Sequence, residues 1–157
     1  MGGNALKMET KDVTAETHTL IEAAVLEMIE GRNIKVATIP PIPNKDSFGN
    51  VSLIVEQNPN TNYNEIISEL FSPNEISKNG HTFSFDYDGC QVDLIITPIE
   101  LFDFSVAFHS YGDFGNIVGR IAHRLNLNFT YKGLFYKLID KEPILLTRDI
   151  SKALSSL

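Results

Sequence analysis

Three polar residues in two apolar segments have the types and spacing from which a reaction site is built. The stretch Lys45-Asp46-Ser47-Phe48-Gly49-Asn50-Val51-Ser52-Leu53-Ile54-Val55 passes from a polar loop through Gly49 into a strongly apolar strand. Asn50 and Ser52 are two apart, so on a strand their side chains point to the same side. A second apolar run, Val92-Asp93-Leu94-Ile95-Ile96, encloses one carboxylate. A carboxylate among apolar neighbours is costly unless something pairs with it. Asp93 is therefore the best single candidate for a ligand or a catalytic acid.

Other polar residues carry two readings each. Asp46 either swings from its loop towards the Asn50 strand or caps the loop, and Glu56 shares the Ser52 face but lies farther along. Asp86 and Asp88 spell Asp-x-Asp beside a turn and read as a solvated strand edge. Lys45 is placed to reach a phosphate or simply to be exposed. Arg120, His123 and Arg124 share one helical face, which is either an anion site or a solvated surface. Gly2 and Gly3 would let backbone N–H groups approach phosphates, or supply only flexibility. Cys90 reads as a small strand residue with no base beside it for thiol chemistry. Phe83, Phe85, Tyr87, Phe102, Phe104 and Phe108 read as core.

The elements that position these residues follow from periodicity and punctuation. A helix starting at residue 12 or 14 and ending at 30 is closed by Gly31, with Ile21, Ala24, Val25, Met28 and Ile29 as its buried stripe. Strands are expected over 34–39, where prolines end the run, and over 51–56, with a loop at 44–50 between them. Thr61 is the expected cap of a helix whose inner face is Tyr63, Ile66, Ile67 and Leu70. Asn79-Gly80 is a turn, and Asp88-Gly89 joins strands 81–88 and 90–97 as a hairpin. Pro98 opens an aromatic helix. Gly112 or Asp113 starts the next one, with Phe114, Ile117, Val118, Ile121, Ala122 and Leu125 inward. A β-pair over 128–139 and 143–146 follows, then a short helix from Asp149 with Ile150, Ala153, Leu154 and Leu157 inward. Strands and hairpins interspersed with helices indicate an α/β (α+β) fold, a mixed sheet with helices on its faces.

Bulk properties narrow the function classes. At 157 residues, 43% hydrophobic and 21% charged, the chain suits a single soluble domain over 1–157. No apolar run reaches the roughly 20 residues that cross a bilayer. The N-terminus lacks a secretory pattern, and Leu6 breaks the myristoylation pattern. One cysteine forms no internal disulfide, so the expected location is cytoplasmic. A formal charge of −7 argues against broad binding to duplex nucleic acid, while leaving room for a small basic site.

The spacing of these segments resembles that of polymerase-β-type nucleotidyltransferases. In that superfamily a Gly-containing loop leads into Asp-x-Asp at a strand start, and a third Asp comes from a neighbouring strand. Gly49-Asn50-Val51-Ser52 stands at the first position and Val92-Asp93-Leu94 at the second. A wider likeness to viral-type nucleotidyltransferases includes Gly2-Gly3-Asn4-Ala5-Leu6-Lys7, Ser110-Tyr111-Gly112-Asp113-Phe114-Gly115, Gly119-Arg120-Ile121-Ala122, Gly133-Leu134 and Ile144-Leu145-Leu146-Thr147-Arg148-Asp149. In that group a C-terminal extension follows.

The resemblance implies Mg²⁺ (or Mn²⁺) chemistry, in which three carboxylates hold two cations and a nucleoside monophosphate passes from a nucleoside triphosphate to an acceptor hydroxyl. It implies a phosphate-contacting hydroxyl at Ser47, although the Gly-Ser signature that usually carries it is missing. It leaves the acceptor open between a nucleic-acid 3′ end, a protein and a small molecule. Asn50 and Ser52 replace two of the three acids with neutral groups, so catalysis is expected to be weak or absent. The alternatives are a module that binds a nucleotide or a nucleic-acid end without chemistry, or a structural subunit.

Overall fold

A computed structural model describes residues 3–157 as an α+β protein. The backbone divides into two compact units. Unit 1 takes the chain up to Thr38 together with Asn44–Pro98, and unit 2 takes Ile39–Pro43 and Ile99–Leu157.

Unit 1 is built on a five-stranded mixed sheet. Its strands are β2 (Val36–Thr38), β4 (Asn50–Glu56), β5 (Ile76–Asn79), β6 (Thr82–Tyr87) and β7 (Cys90–Thr97), in the order β2-β4-β7-β6-β5. The two central strands, β4 and β7, run parallel, and the other pairs are antiparallel. A two-stranded ladder pairs β1 (Val13–Thr14), at the expected start of the first helix, with β3 (Ser47–Phe48), inside what the sequence reads as loop.

Two helices cover one face of this sheet. Helix α1 (Ala15–Glu30) starts at Thr14, whose hydroxyl accepts the Thr17 amide at 3.2 Å. Its buried stripe is Ile21, Val25 and Ile29, extended by His18. Met28 is exposed, so the stripe is narrower than expected. Helix α2 (Tyr63–Phe71) is capped by Asn62, not Thr61: the Asn62 carboxamide oxygen accepts the Glu65 amide. Alternation does the rest, because Val51, Leu53, Val55, Phe85, Val92 and Leu94 all point towards the helices and are fully buried or nearly so.

Unit 2 has its own core. Helices α3 (Phe102–His109), α4 (Phe114–Arg124) and α5 (Ile150–Ser155) accompany a three-stranded antiparallel sheet. That sheet comprises β8 (Leu127–Thr130), β9 (Gly133–Tyr136) and β10 (Ile144–Thr147). The single strand expected over 128–139 is two, because Tyr131-Lys132 turns the chain back on itself before Gly133, whose φ is +139°. Phe104, Val118, Ala122, Phe129, Leu134 and Ala153 are its buried cluster. Ile117, Ile121 and Leu125 were expected inside but are 56%, 47% and 49% exposed. Helix α4 buries the Gly115-Val118-Ala122 side instead, where small residues admit close packing. Leu154, also expected inside, is exposed, whereas Leu157 packs on the cluster.

Candidate functional site

On the sheet face opposite α1 and α2, strand register lines up two polar rows. Asn50 faces Gln91, and Gln91 faces Asp86; one step along, Ser52 faces Asp93, and Asp93 faces Ser84. The third row, Ile54, Ile95 and Thr82, is largely apolar. Asn50, Ser52 and Asp93 therefore meet as the sequence suggests. Parallel pairing of β4 with β7 brings them together.

The Asp93 carboxylate sits at the centre and is fully engaged. Its Oδ2 accepts the Asn50 amide Nδ2 at 2.5 Å. Its Oδ1 accepts the Ser84 hydroxyl at 2.6 Å and the Gln91 Nε2 at 2.9 Å. The Asn50 Nδ2 also donates to the Ser52 hydroxyl at 3.1 Å. Turned over, the Asn50 amide would set its carbonyl oxygen against a carboxylate, so two acceptors fix its orientation. Among the described residues no buried side-chain nitrogen or oxygen lacks a partner.

Ser84 and Gln91 were not singled out in the sequence, although both were legible there. The Asp88-Gly89 hairpin pairs Tyr87 with Cys90, and counting back along it places Ser84 opposite Asp93. Gln91 is two residues before Asp93 and so shares its face. Gln91 does double duty, since its Oε1 accepts the backbone amide of Ala5 at 3.0 Å and ties the N-terminal segment to the site.

That segment lies across the loop before β4. Gly3, at φ +93°, packs so closely that a Cβ would come within 2.6 Å of the Gly49 carbonyl oxygen. Gly2 lies outside the described residues. Both amides of Lys7 and Met8 donate to the Glu75 carboxylate, and the Lys11 amide donates to the Gly89 carbonyl. Gly3 thus serves a close backbone approach in this structure.

The remaining candidates lie elsewhere. The Lys45 ammonium stands 4.8 Å over the Phe48 ring. Ser47 is exposed on β3, with Thr14 as its register partner. The Asp46 side chain is exposed, while its carbonyl accepts the Ala15 amide at the start of α1. Asp86 is a correction: only 6% exposed, it accepts the Glu75 amide and the Asn74 carboxamide, anchoring the approach to β5 rather than decorating a solvated edge. Asp88 is the exposed turn residue, at φ +51°. Glu56 accepts the Lys35 amide at 2.7 Å, away from Asp93. Arg120 and Arg124 are exposed on α4, in unit 2. Burial pushes the Cys90 thiol up to about 11, with the Asp93 charge adding to the effect, so this sulfur stays protonated and inert.

The residues around Asp93 do not fit a pair of divalent cations. Such ions want several anionic oxygens, and of the two carboxylates in the polar rows Asp93 has both oxygens already accepting hydrogen bonds, while Asp86 is taken up by Asn74 and Glu75. The neighbouring Asn50 presents N–H donors to it, as a cation would present positive charge. Among the described residues no group of three His, Cys, Asp or Glu side chains is arranged to hold a metal ion. Nor is any helix among them long and apolar enough to cross a membrane. Compared with protein-family models and with curated proteins, the chain matches none of them.

Proposed function

We propose that this protein is a nucleotidyltransferase-type domain that has lost metal-dependent transfer, its acid site replaced by a hydrogen-bonded network around Asp93. The supporting arrangement is a Gly-containing loop leading into β4, with Asn50 and Ser52 at the strand start and one acid directly across on β7. The observation that carries the loss is the Asn50 Nδ2 to Asp93 Oδ2 contact at 2.5 Å. A neutral amide supplies there the partial positive charge that stabilises the carboxylate. Removing two of three anions from a site for two dications costs several factors of ten in rate, each about 1.4 kcal/mol.

The test is the double variant Asn50→Asp with Ser52→Asp. It is expected to bind Mn²⁺ and to release pyrophosphate from nucleoside triphosphates in a Mg²⁺-dependent way, while the natural chain does neither. Mg²⁺-dependent pyrophosphate release by the natural chain, abolished by Asp93→Asn, would overturn the loss. No metal binding by the double variant would overturn the transferase ancestry. A second reading, nucleotide binding without chemistry, is favoured by the exposed ammonium of Lys45 near the Gly49 loop. It predicts nucleotide binding that survives EDTA and weakens in Lys45→Ala. The lone, buried thiol suits a cytoplasmic setting for either reading.

A further inference from the structure

We propose that unit 2 carries a binding site of its own, a groove beside α4 that takes a small aromatic molecule bearing a phosphate or carboxylate. The groove, of about 370 Å³, is bounded by Phe108 of α3, Asn128 and Phe129 of β8, and Asn116, Arg120 and His123 of α4. Its size falls in the usual range for small-ligand sites, roughly 300–1,000 Å³. The proposal rests on unit 2 alone and is independent of the reading of Asp93.

Charge points to an anion. Arg120 and His123 are one helical turn apart on the exposed side of α4, and no Asp or Glu lines the groove. Among the described residues neither side chain forms an ion pair, whereas Arg32 of unit 1 pairs with Glu69. A guanidinium that no carboxylate neutralises is a ready fork for phosphate or carboxylate oxygens. Asn116 and Asn128 add a carboxamide from each side. The half-buried Phe108 ring supplies an apolar wall for a flat partner.

The glycines on α4 separate packing from space. A Cβ on Gly115 would come within 2.5 Å of the Phe108 carbonyl oxygen, so Gly115 is needed for α3 and α4 to pack. A Cβ on Gly119 would meet only the Phe129 carbonyl, at 3.6 Å, which is ordinary contact. Gly119 is not required by packing, and a glycine inside a helix is less stable there than alanine. What its missing side chain provides is the open floor of the groove.

The experiment is calorimetric titration of the full chain with phenyl phosphate, benzoate, AMP and inorganic phosphate, repeated on Arg120→Ala, Gly119→Leu and, as a control in unit 1, Lys78→Ala. Saturable binding of at least one ring-bearing anion is expected, at least tenfold tighter than inorganic phosphate. Arg120→Ala should weaken it at least tenfold, and Gly119→Leu should abolish it with the circular dichroism spectrum unchanged. Lys78→Ala should bind as the natural chain does. Phenyl phosphate against benzoate decides which anion is preferred, and AMP against phenyl phosphate decides whether a nucleotide fits. No saturable binding by any probe would overturn the proposal. So would equal affinity for inorganic phosphate, or undiminished binding in a folded Gly119→Leu variant.

Discussion

Unit 1 and unit 2 solve the problem of polar groups in opposite ways. Unit 1 carries six Lys and Arg against fourteen Asp and Glu, a net −8, whereas unit 2 carries seven against six, a net +1; together they give the chain's −7. In the acidic unit the Asp93 carboxylate, set into a central strand, is closed off by three donors. In the near-neutral unit Arg120 and His123 line an open groove with no carboxylate in it. Overall charge would direct attention to the wrong half for an anion site. Recognition depends on where a charge is left uncompensated, and the groove of unit 2 holds Arg120 with no carboxylate beside it.

The cores differ as well, and the largest predicted effects follow. Among the described residues seventeen buried ones form the main cluster of unit 1 against six in unit 2, so unit 1 should be the harder to open. Phe85→Ala, at a fully buried position between α2 and the sheet, should cost about 3–5 kcal/mol. Leu134→Ala should cost roughly 2–5 kcal/mol. Native-state hydrogen exchange then separates the units. Leu134→Ala is expected to speed exchange in β8 and β9 while β4 and β7 keep their protection. Uniform acceleration through both units would mean that they unfold as one.

A smaller effect tests how the Asp93 network is balanced. Asn50→Asp removes two N–H donors and sets a second carboxylate against the first, which should cost about 2 kcal/mol at neutral pH. Added Mn²⁺, or acid sufficient to protonate one of the pair, should restore most of it. Denaturant unfolding with and without the metal reads this directly. An unchanged midpoint would show that the amide does not stabilise Asp93.

Much of this was legible in the sequence. Thr14 and Gly31 marked both ends of α1, and Asp88-Gly89 fixed the hairpin whose register places Ser84 at Asp93. The period-2 placement of Asn50 and Ser52 gave their shared face. What stayed hidden depended on partners distant in sequence. The lengthwise alignment of β4 with β7 has no local signal, so nothing nearby in the chain set Asn50 opposite Gln91 or Ser52 opposite Asp93. Helix α4 misled because Ile117, Ile121 and Leu125 repeat at helical spacing, while the side that packs is set by Gly115, Val118 and Ala122 meeting α3 and β8. Small residues at a close contact outweighed larger ones beside it. In 128–139, Gly133 was the one visible mark of the turn.

The smallest predicted effect concerns the loop that leads to Asn50, which α1 holds through His18. That imidazole is 8% exposed and stacks on Phe48 with ring centroids 4.0 Å apart. Burial lowers its pKa below 6.5, and the nearby Lys45 charge lowers it further. Between the folded pKa and 6.5 the unfolded chain therefore binds more protons than the folded one. Stability from this group is fully present above pH 6.5, is lost as pH falls through that window, and levels off below the folded pKa. Glu22 works in the opposite sense, because burial raises its pKa from 4.5 and the fold gains as acid protonates it. Thermal unfolding from pH 8 downwards should accordingly show a decline beginning near 6.5 that His18→Gln removes. Lys45→Ala should make the decline shallower by taking away its second cause. If His18→Gln keeps the same slope, the loop is not held by a neutral imidazole and Phe48 alone anchors it.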